Sequence, residues 1–414
     1  MPEREVAFRR RLVLWLVVAL LLRLVNVVTL DHPISDERAY LNIASNLVHG
    51  AGFREGGVVA YRYPAYVGFM AGCFALFGER REPIVVTQAL MGVATILLFG
   101  LVVRRRLGDV AALFSVAALS VYVPFVRLSG RMYTENLFFL LVLLVWWLLE
   151  RPARPRLGQT VAAGLLCGLA VLTREAFLPI ALLYAIARVA TSSARSEEAK
   201  GMAVFLVCAV MTVAPWTVRN YLLFARVVPV TTNTWFNLYM GNSTIADGRY
   251  PEGAGRILWS WPAGEPRRSK YLEIDLADRF RAEVVRFWRE DTGRALELVG
   301  VKALLLITPP HMLDVTLTGK VAKLAAVVWS VMWGLMILLA VYGFARGPTP
   351  FRETLWPWTF AGMTILSCLA TYVIARYRFP LELAMVYFAA NGFIAALTPG
   401  RRASEPNSLL ASGG

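Results

Sequence analysis

The chain has 414 residues, 57% of them hydrophobic, with a formal net charge of +15. A mean hydropathy of +0.55 excludes an ordinary soluble domain. The cations cluster between apolar runs, as the positive-inside rule distributes them, and this argues against a nucleic-acid partner. The four cysteines, Cys73, Cys167, Cys208 and Cys368, lie in apolar segments at no metal-ligand spacing and read as small core residues.

In chain order, the first long apolar run, 12–30, follows Arg9-Arg10-Arg11 and lacks a small-residue cleavage site, so it reads as an anchor. Next comes Asp31-His32-Pro33-Ile34-Ser35-Asp36-Glu37. Ser35 is suited to cap a helix that begins at Asp36 and that Gly50 ends. On that helix Tyr40, Ile43, Ala44, Leu47 and Val48 form one apolar stripe, with Asp36 one turn ahead of Tyr40. The expectation is an amphipathic helix lying on the membrane. The N–H groups and dipole of its first turn favour an ionised Asp36. The plainer reading is that Asp36 and Glu37 only decorate a helix start. The stretch from Tyr61-Arg62-Tyr63-Pro64 to Gly78 is apolar but short for a span, and reads as re-entrant or interfacial.

The spacing predicts ten spans, at 12–30, 83–103, 109–126, 132–149, 158–173, 176–190, 201–219, 321–345, 354–374 and 379–397. The stretch 158–190 is apolar except at Thr173-Arg174-Glu175. As one helix it would reach about 48 Å, against a bilayer core of roughly 30 Å. Two short helices meeting at Arg174 keep the Arg clusters on one side. A charge at such a tip is a functional-site candidate by default. With the N-terminus inside, both termini lie in the cytoplasm, and residues 31–82 and 220–320 lie outside. The expected organisation is a membrane module over 1–219 that includes the first outer loop 31–82. It continues as an external segment over 220–320, C-terminal helices over 321–400 and a disordered tail over 401–414. The external segment carries a charged helical stretch near 271–302.

This topology collects the unusual polar groups on one face. They are Asp36, Glu37, Arg127, Arg131, Glu135, Arg174, Glu175, Arg219, Asn220, Arg376 and Arg378. Each alone has a dull explanation, such as a snorkelling arginine or a Glu135–Arg131 helix pair. Together, carboxylates beside arginines suit a substrate with a phosphate to hold and a hydroxyl to deprotonate.

Several stretches carry a resemblance. They are Asp36-Glu37-Arg38-Ala39-Tyr40, Gly50-Ala51-Gly52-Phe53, Arg62-Tyr63-Pro64, Leu76-Phe77-Gly78, Thr134-Glu135 and Gly168 to Glu175. Pro215-Trp216-Thr217-Val218-Arg219-Asn220, Asn237, Gly241-Asn242 and Arg376-Tyr377-Arg378-Phe379-Pro380 complete the set. In this order they resemble bacterial GT-C glycosyltransferases of the family 39 type, which include protein O-mannosyltransferases and the lipid A aminoarabinose transferase. Tyr63-Pro64-Ala65-Tyr66 departs from the Pro-Pro-Gly-Tyr-Pro run of many relatives, and 246–320 has no counterpart.

The resemblance implies an all-α polytopic membrane protein of the GT-C fold, with about ten transmembrane helices, in a bacterial inner membrane. It implies an inverting transferase whose donor is a sugar on polyprenyl phosphate and whose acceptor is a hydroxyl at the outer face. Asp36 matches the catalytic aspartate, with Glu37, Tyr40 and Glu135 supporting the acceptor side. Arg174, Arg219, Arg376 and Arg378 are the candidates for the donor phosphate, with Arg62, Arg131, Asn220 and Asn242 as further site residues. No metal ligands are assigned; some relatives use a divalent metal, for which His32 near Asp36 is a candidate, against the plainer reading of an ordinary loop residue beside a proline. The competing readings are a flippase of lipid-linked sugars, a surface-glycan polymerase or ligase, and a non-catalytic assembly partner. A transporter would show repeat symmetry, and the sequence has no internal repeat.

Overall fold

Leucine, valine, alanine and phenylalanine at helix-forming density build nearly everything in the chain; glycine and proline mark the joints. The computed structural model describes residues 2–29, 35–150, 155–251, 260–261, 266–267, 269–309, 320–346 and 354–397. His32 and the tail 401–414 therefore lie outside the described residues. Among those described there are fifteen helices and one isolated β-bridge, Glu55 to Val58.

The helices α1 (Pro2–Thr29), α2 (Ser35–Val48) and α3 (Pro64–Phe77) come first. Next is α4 (Arg81–Val121), whose 41 residues would make a rod of about 60 Å, twice a bilayer core. It is broken at Gly108, where φ is 85° and ψ is −176°. This is a conformation that glycine adopts without a Cβ penalty. The two spans expected at 83–103 and 109–126 are the two arms of this helix. α5 (Val123–Ser129) and α6 (Thr134–Leu149) follow, bent by 112° to each other. Pro124, in the first turn of α5, needs no backbone donor there.

α7 (Leu157–Thr173) and α8 (Phe177–Thr191) form the short hairpin that the sequence predicts. α9 (Arg195–Phe224) and α10 (Thr234–Gly241) come next, then α11 (Leu272–Glu290), α12 (Thr292–Ile307), α13 (Lys320–Arg346), α14 (Leu355–Ala370) and α15 (Ala375–Leu397). By length and composition, α1, α4, α9, α13 and α15 can each cross a membrane, and the bent α5–α6 pair supplies a sixth crossing. The ten-span reading goes beyond this: α7, α8 and α14 are apolar but have only 15 to 17 residues.

Two close crossings hold the bundle. A Cβ on Gly164 would lie 2.5 Å from the Phe205 carbonyl oxygen, and one on Gly168 would lie 2.4 Å from Thr212 Cβ. These two glycines, four residues apart, let α7 and α9 touch along their backbones. Likewise a Cβ on Gly392 would lie 1.9 Å from the Leu339 carbonyl oxygen, where α15 crosses α13. At one end of the bundle Glu150 ties Arg106 to Arg188. The candidate site occupies the other end.

Most of the apolar stripe of α2 is covered by protein, and only Val48 at its end is exposed. Tyr40, Ile43 and Ala44 are buried against Tyr66, Val67, Met70 and Phe74 of α3. This corrects the expectation of a helix resting on lipid: α3 takes the place of the membrane.

Candidate functional site

The ends of five elements converge on a chain of alternating charges. Asp36, in the first turn of α2, accepts a hydrogen bond of 3.1 Å from Arg62 Nη1, in the loop before α3. Arg376, in the first turn of α15, approaches the other Asp36 oxygen at 3.7 Å. The same guanidinium lies 3.1 Å from Glu135, in the first turn of α6. Glu135 in turn accepts from Arg174, the residue that ends α7. The order Arg62, Asp36, Arg376, Glu135, Arg174 leaves one positive charge in excess.

Exposure separates the two carboxylates. The Asp36 side chain is 37% exposed, whereas Glu135 is fully buried between two arginines. Burial works against ionisation of Asp36, but the Arg62 and Arg376 guanidiniums outweigh it and hold its carboxyl below the usual carboxylate range. Tyr40 is buried beside it, its ring centre 5.3 Å from the Arg62 guanidinium, and burial pushes its hydroxyl up to about 12.

Two cavities meet here. The first, of about 440 Å³, is lined by Asp36, Tyr40, Arg62, Arg127, Arg131 and Arg376 among others. The second, of about 300 Å³, is lined by Arg174, by Glu175, which accepts from Thr231 and Thr234, and by apolar groups of α6, α8 and α14, including Phe138, Phe177, Ile180, Phe360 and Met363. Tyr63, Asn237 and Tyr377 line both. The Tyr377 ring lies 5.4 Å from the Arg174 guanidinium and 5.7 Å from that of Arg376. Its hydroxyl is 2.9 Å from that of Tyr372, which donates to Asn237.

Asp36, Tyr40, Arg62, Arg131, Glu135, Arg174 and Arg376 are thus brought together. Five other residues proposed from sequence have different surroundings. Glu37 is fully buried, accepts from the Met132 backbone N–H at 2.8 Å and faces Arg131 at 3.5 Å. Arg219 donates to the Val59 carbonyl at 2.7 Å, three residues before Arg62. Its neighbour Asn220 holds the Val228 and Val230 carbonyls, so this end of α9 braces the loop that carries Arg62. Arg378 is fully buried and donates to the carbonyls of Leu305, Leu306 and Thr308. A helix end leaves such carbonyls without intrahelical partners, and Arg378 supplies them at the end of α12. Asn242 donates to the Leu238 and Ala370 carbonyls and receives Lys302 and Trp288.

The tyrosines between the cavities were missed as site residues. A signal for them exists: Tyr63, Tyr133 and Tyr377 each sit within two residues of a charged site residue in the sequence. Among the described residues no three His, Cys, Asp or Glu side chains cluster to hold a metal ion. The groups around Asp36 are guanidiniums, and Glu37 faces Met132 instead. Among the described residues this donor set does not fit a divalent cation.

Residues 63–216 match the family model described as dolichyl-phosphate-mannose-protein mannosyltransferase. No curated protein sequence matches the chain. Among solved structures it is similar to the archaeal oligosaccharyltransferase AglB from Archaeoglobus fulgidus in complex with an inhibitory peptide and a dolichol-phosphate. The identity is 12%, the TM-score is 0.57, and the match covers 99% of this chain and 54% of that one. The Archaeoglobus fulgidus oligosaccharyltransferase in complex with Zn and sulfate gives 15% identity and a TM-score of 0.58, over 94% of this chain and 49% of that one. ArnT from Cupriavidus metallidurans bound to undecaprenyl phosphate matches at 15% identity and a TM-score of 0.43, over 93% and 77%. The chain spans about half the length of the oligosaccharyltransferases it matches. It is a multi-pass membrane protein with the GT-C fold, and its residues 63–216 are similar to the dolichyl-phosphate-mannose-protein mannosyltransferase family model.

Proposed function

We propose that the protein is an inverting glycosyltransferase that moves a sugar from polyprenyl phosphate to an acceptor hydroxyl. It works at the outer face of a bacterial plasma membrane, with both termini in the cytoplasm. The observation that carries this reading is the junction of the two cavities, with Asp36 in one and Arg174 in the other. The apolar second cavity takes the first isoprene units, and Arg174 at its mouth takes the phosphate. The acceptor enters the first cavity. Asp36 removes the proton of its hydroxyl as that oxygen attacks the anomeric carbon from the side opposite the phosphate. The carbon–oxygen bond to the phosphate breaks, and Arg174 and Arg376 receive the charge that develops there. Glu135, too buried to reach the substrate, holds both arginines in place. Holding the two reactants in line supplies a further gain through effective molarity.

The test uses purified protein with a synthetic polyprenyl-phosphate sugar. Asp36→Asn keeps the size of the side chain and removes the base, so transfer falls by about 10²–10⁴-fold while the donor still binds. Turnover by Asp36→Asn near the wild-type rate removes Asp36 as the base. Lipid translocation without transfer would favour a flippase.

A further inference from the structure

We propose that Glu273 is a positioning residue for the candidate base: it fixes the loop that carries Arg62, and through Arg62 the ion pair at Asp36. This deepens the transferase reading above and rests on it for its effect on rate. Glu273 lies in the first turn of α11, outside residues 63–216 that match the family model. An acidic residue there ordinarily serves the helix dipole. Glu273 is instead buried, 2% exposed, and gives its oxygens to other segments. Oε1 accepts from the N–H of Val59, 214 residues earlier in the chain, at 2.7 Å. Oε2 accepts from the Ala60 N–H at 3.3 Å and from the Thr232 hydroxyl at 2.7 Å.

Between α2 and α3 the chain forms no helix, so no helical hydrogen bonds fix Arg62. Tertiary bonds do it instead. Besides the two N–H groups on Glu273, the Val59 carbonyl accepts from Arg219 at 2.7 Å, the Ala60 carbonyl from the Thr232 N–H at 3.1 Å and the Tyr61 carbonyl from Asn233 at 3.1 Å. Five backbone groups of three successive residues are thus tied down immediately before Arg62. Ordering each such residue costs about 1–2 kcal/mol of backbone entropy, and here it is met before substrate arrives. The cations paired with Asp36 are Arg62 and Arg376, neither of them on α11, so α11 reaches Asp36 through the loop. A glutamine at 273 would bring one carbonyl oxygen to three donors and set its amide N–H groups against one of them.

A double-mutant cycle on full-length protein tests this, at about pH 8, well above the ordinary glutamate value. Glu273→Gln is expected to lower kcat/KM by about tenfold to a hundredfold, as a displaced positioning group does. Farnesyl phosphate, a short stand-in for the donor lipid, binds as before. In an Arg62→Gln background the same substitution should change nothing further, because the charge it positions is gone. Thr232→Val removes only one of the three donors and is expected to give a smaller loss with the same dependence on Arg62. A second readout needs no transfer: the rate at which phenylglyoxal modifies Arg62, followed by mass spectrometry, should rise several-fold in Glu273→Gln and Thr232→Val and stay the same at Arg174. Asp275→Asn, which unties Ser269 from the same turn of α11, should leave both readouts unchanged. Equal losses with and without Arg62 overturn the proposal, as does a loss shared by Asp275→Asn or an unchanged rate at Arg62. Failure of the transferase reading would show separately, as Asp36→Asn protein that still turns over, and the modification rates then decide the role of Glu273.

Discussion

At the scale of single residues, the environment of each carboxylate decides its role. The Asp36 carboxyl is held below the usual range by Arg62 and Arg376, so it is ionised throughout the neutral range, as the proposed base must be, and is protonated only as pH falls through its lowered value. The transfer rate should therefore show no acid limb from Asp36 above about pH 4, the ordinary aspartate value. Arg62→Gln removes the nearest cation and leaves the burial, so the limb should move to higher pH. The pH profile of kcat/KM reads both. Glu37, one residue on, has the opposite assignment. Glu37→Ala would orphan the buried Met132 N–H, at a cost of about 1–3 kcal/mol. It should lower the melting temperature in detergent while each folded molecule keeps its turnover. The sequence distinguishes these neighbours only as lying about 100° apart on a helix. What Glu37 faces depends on Met132, which no local pattern brings near. Arg378 teaches the same lesson. It lies two residues from Arg376 in one motif, yet it closes the end of α12, more than 60 residues earlier in the chain.

At the scale of elements, the apolar runs and their breaks were readable because composition and length dictate them. The hairpin of α7 and α8 follows from a bilayer limit on helix length, and the two arms of α4 follow from separate apolar runs. The partners of each helix were less readable. The stripe on α2 has the period of a surface helix, and periodicity cannot distinguish lipid from α3 as the cover. The glycines of α7 show how packing positions chemistry. Gly168 lies against Thr212 and Ala209 of α9, six residues before Arg174. Gly168→Val would overpack this crossing, at about 1–3 kcal/mol or more. It should reduce both folded yield and donor affinity, because Arg174 moves with the end of α7. Gly158→Val, at the open start of the same helix, should do neither. Yield and farnesyl phosphate affinity, measured together, check this.

For the whole molecule, the ion chain from Arg62 to Arg174 has a consequence for charge balance through the reaction. At rest its three arginines and two carboxylates sum to +1. In the reaction proposed above the donor, a sugar on polyprenyl phosphate, is a phosphate diester with a single negative charge, so the occupied site would be neutral. Transfer turns that diester into a monoester with about −1.5 to −2 charge near neutral pH. The acceptor proton arrives on Asp36 in the same step and raises the ion chain to +2. Site and leaving group therefore change charge together, and the buried pair stays close to balanced on both sides of the transition state. The spent lipid phosphate then remains attracted for as long as Asp36 keeps the proton, so deprotonation of Asp36 and departure of the lipid are linked events. An asparagine at position 36 mimics the protonated state permanently. Asp36→Asn should therefore bind farnesyl phosphate more tightly than the wild type, and the wild type should take up more protons on binding it than the variant does. Calorimetry in buffers of different ionisation enthalpy measures both quantities. Equal affinity and equal proton uptake in the two proteins would show that the ion chain does not couple its two ends.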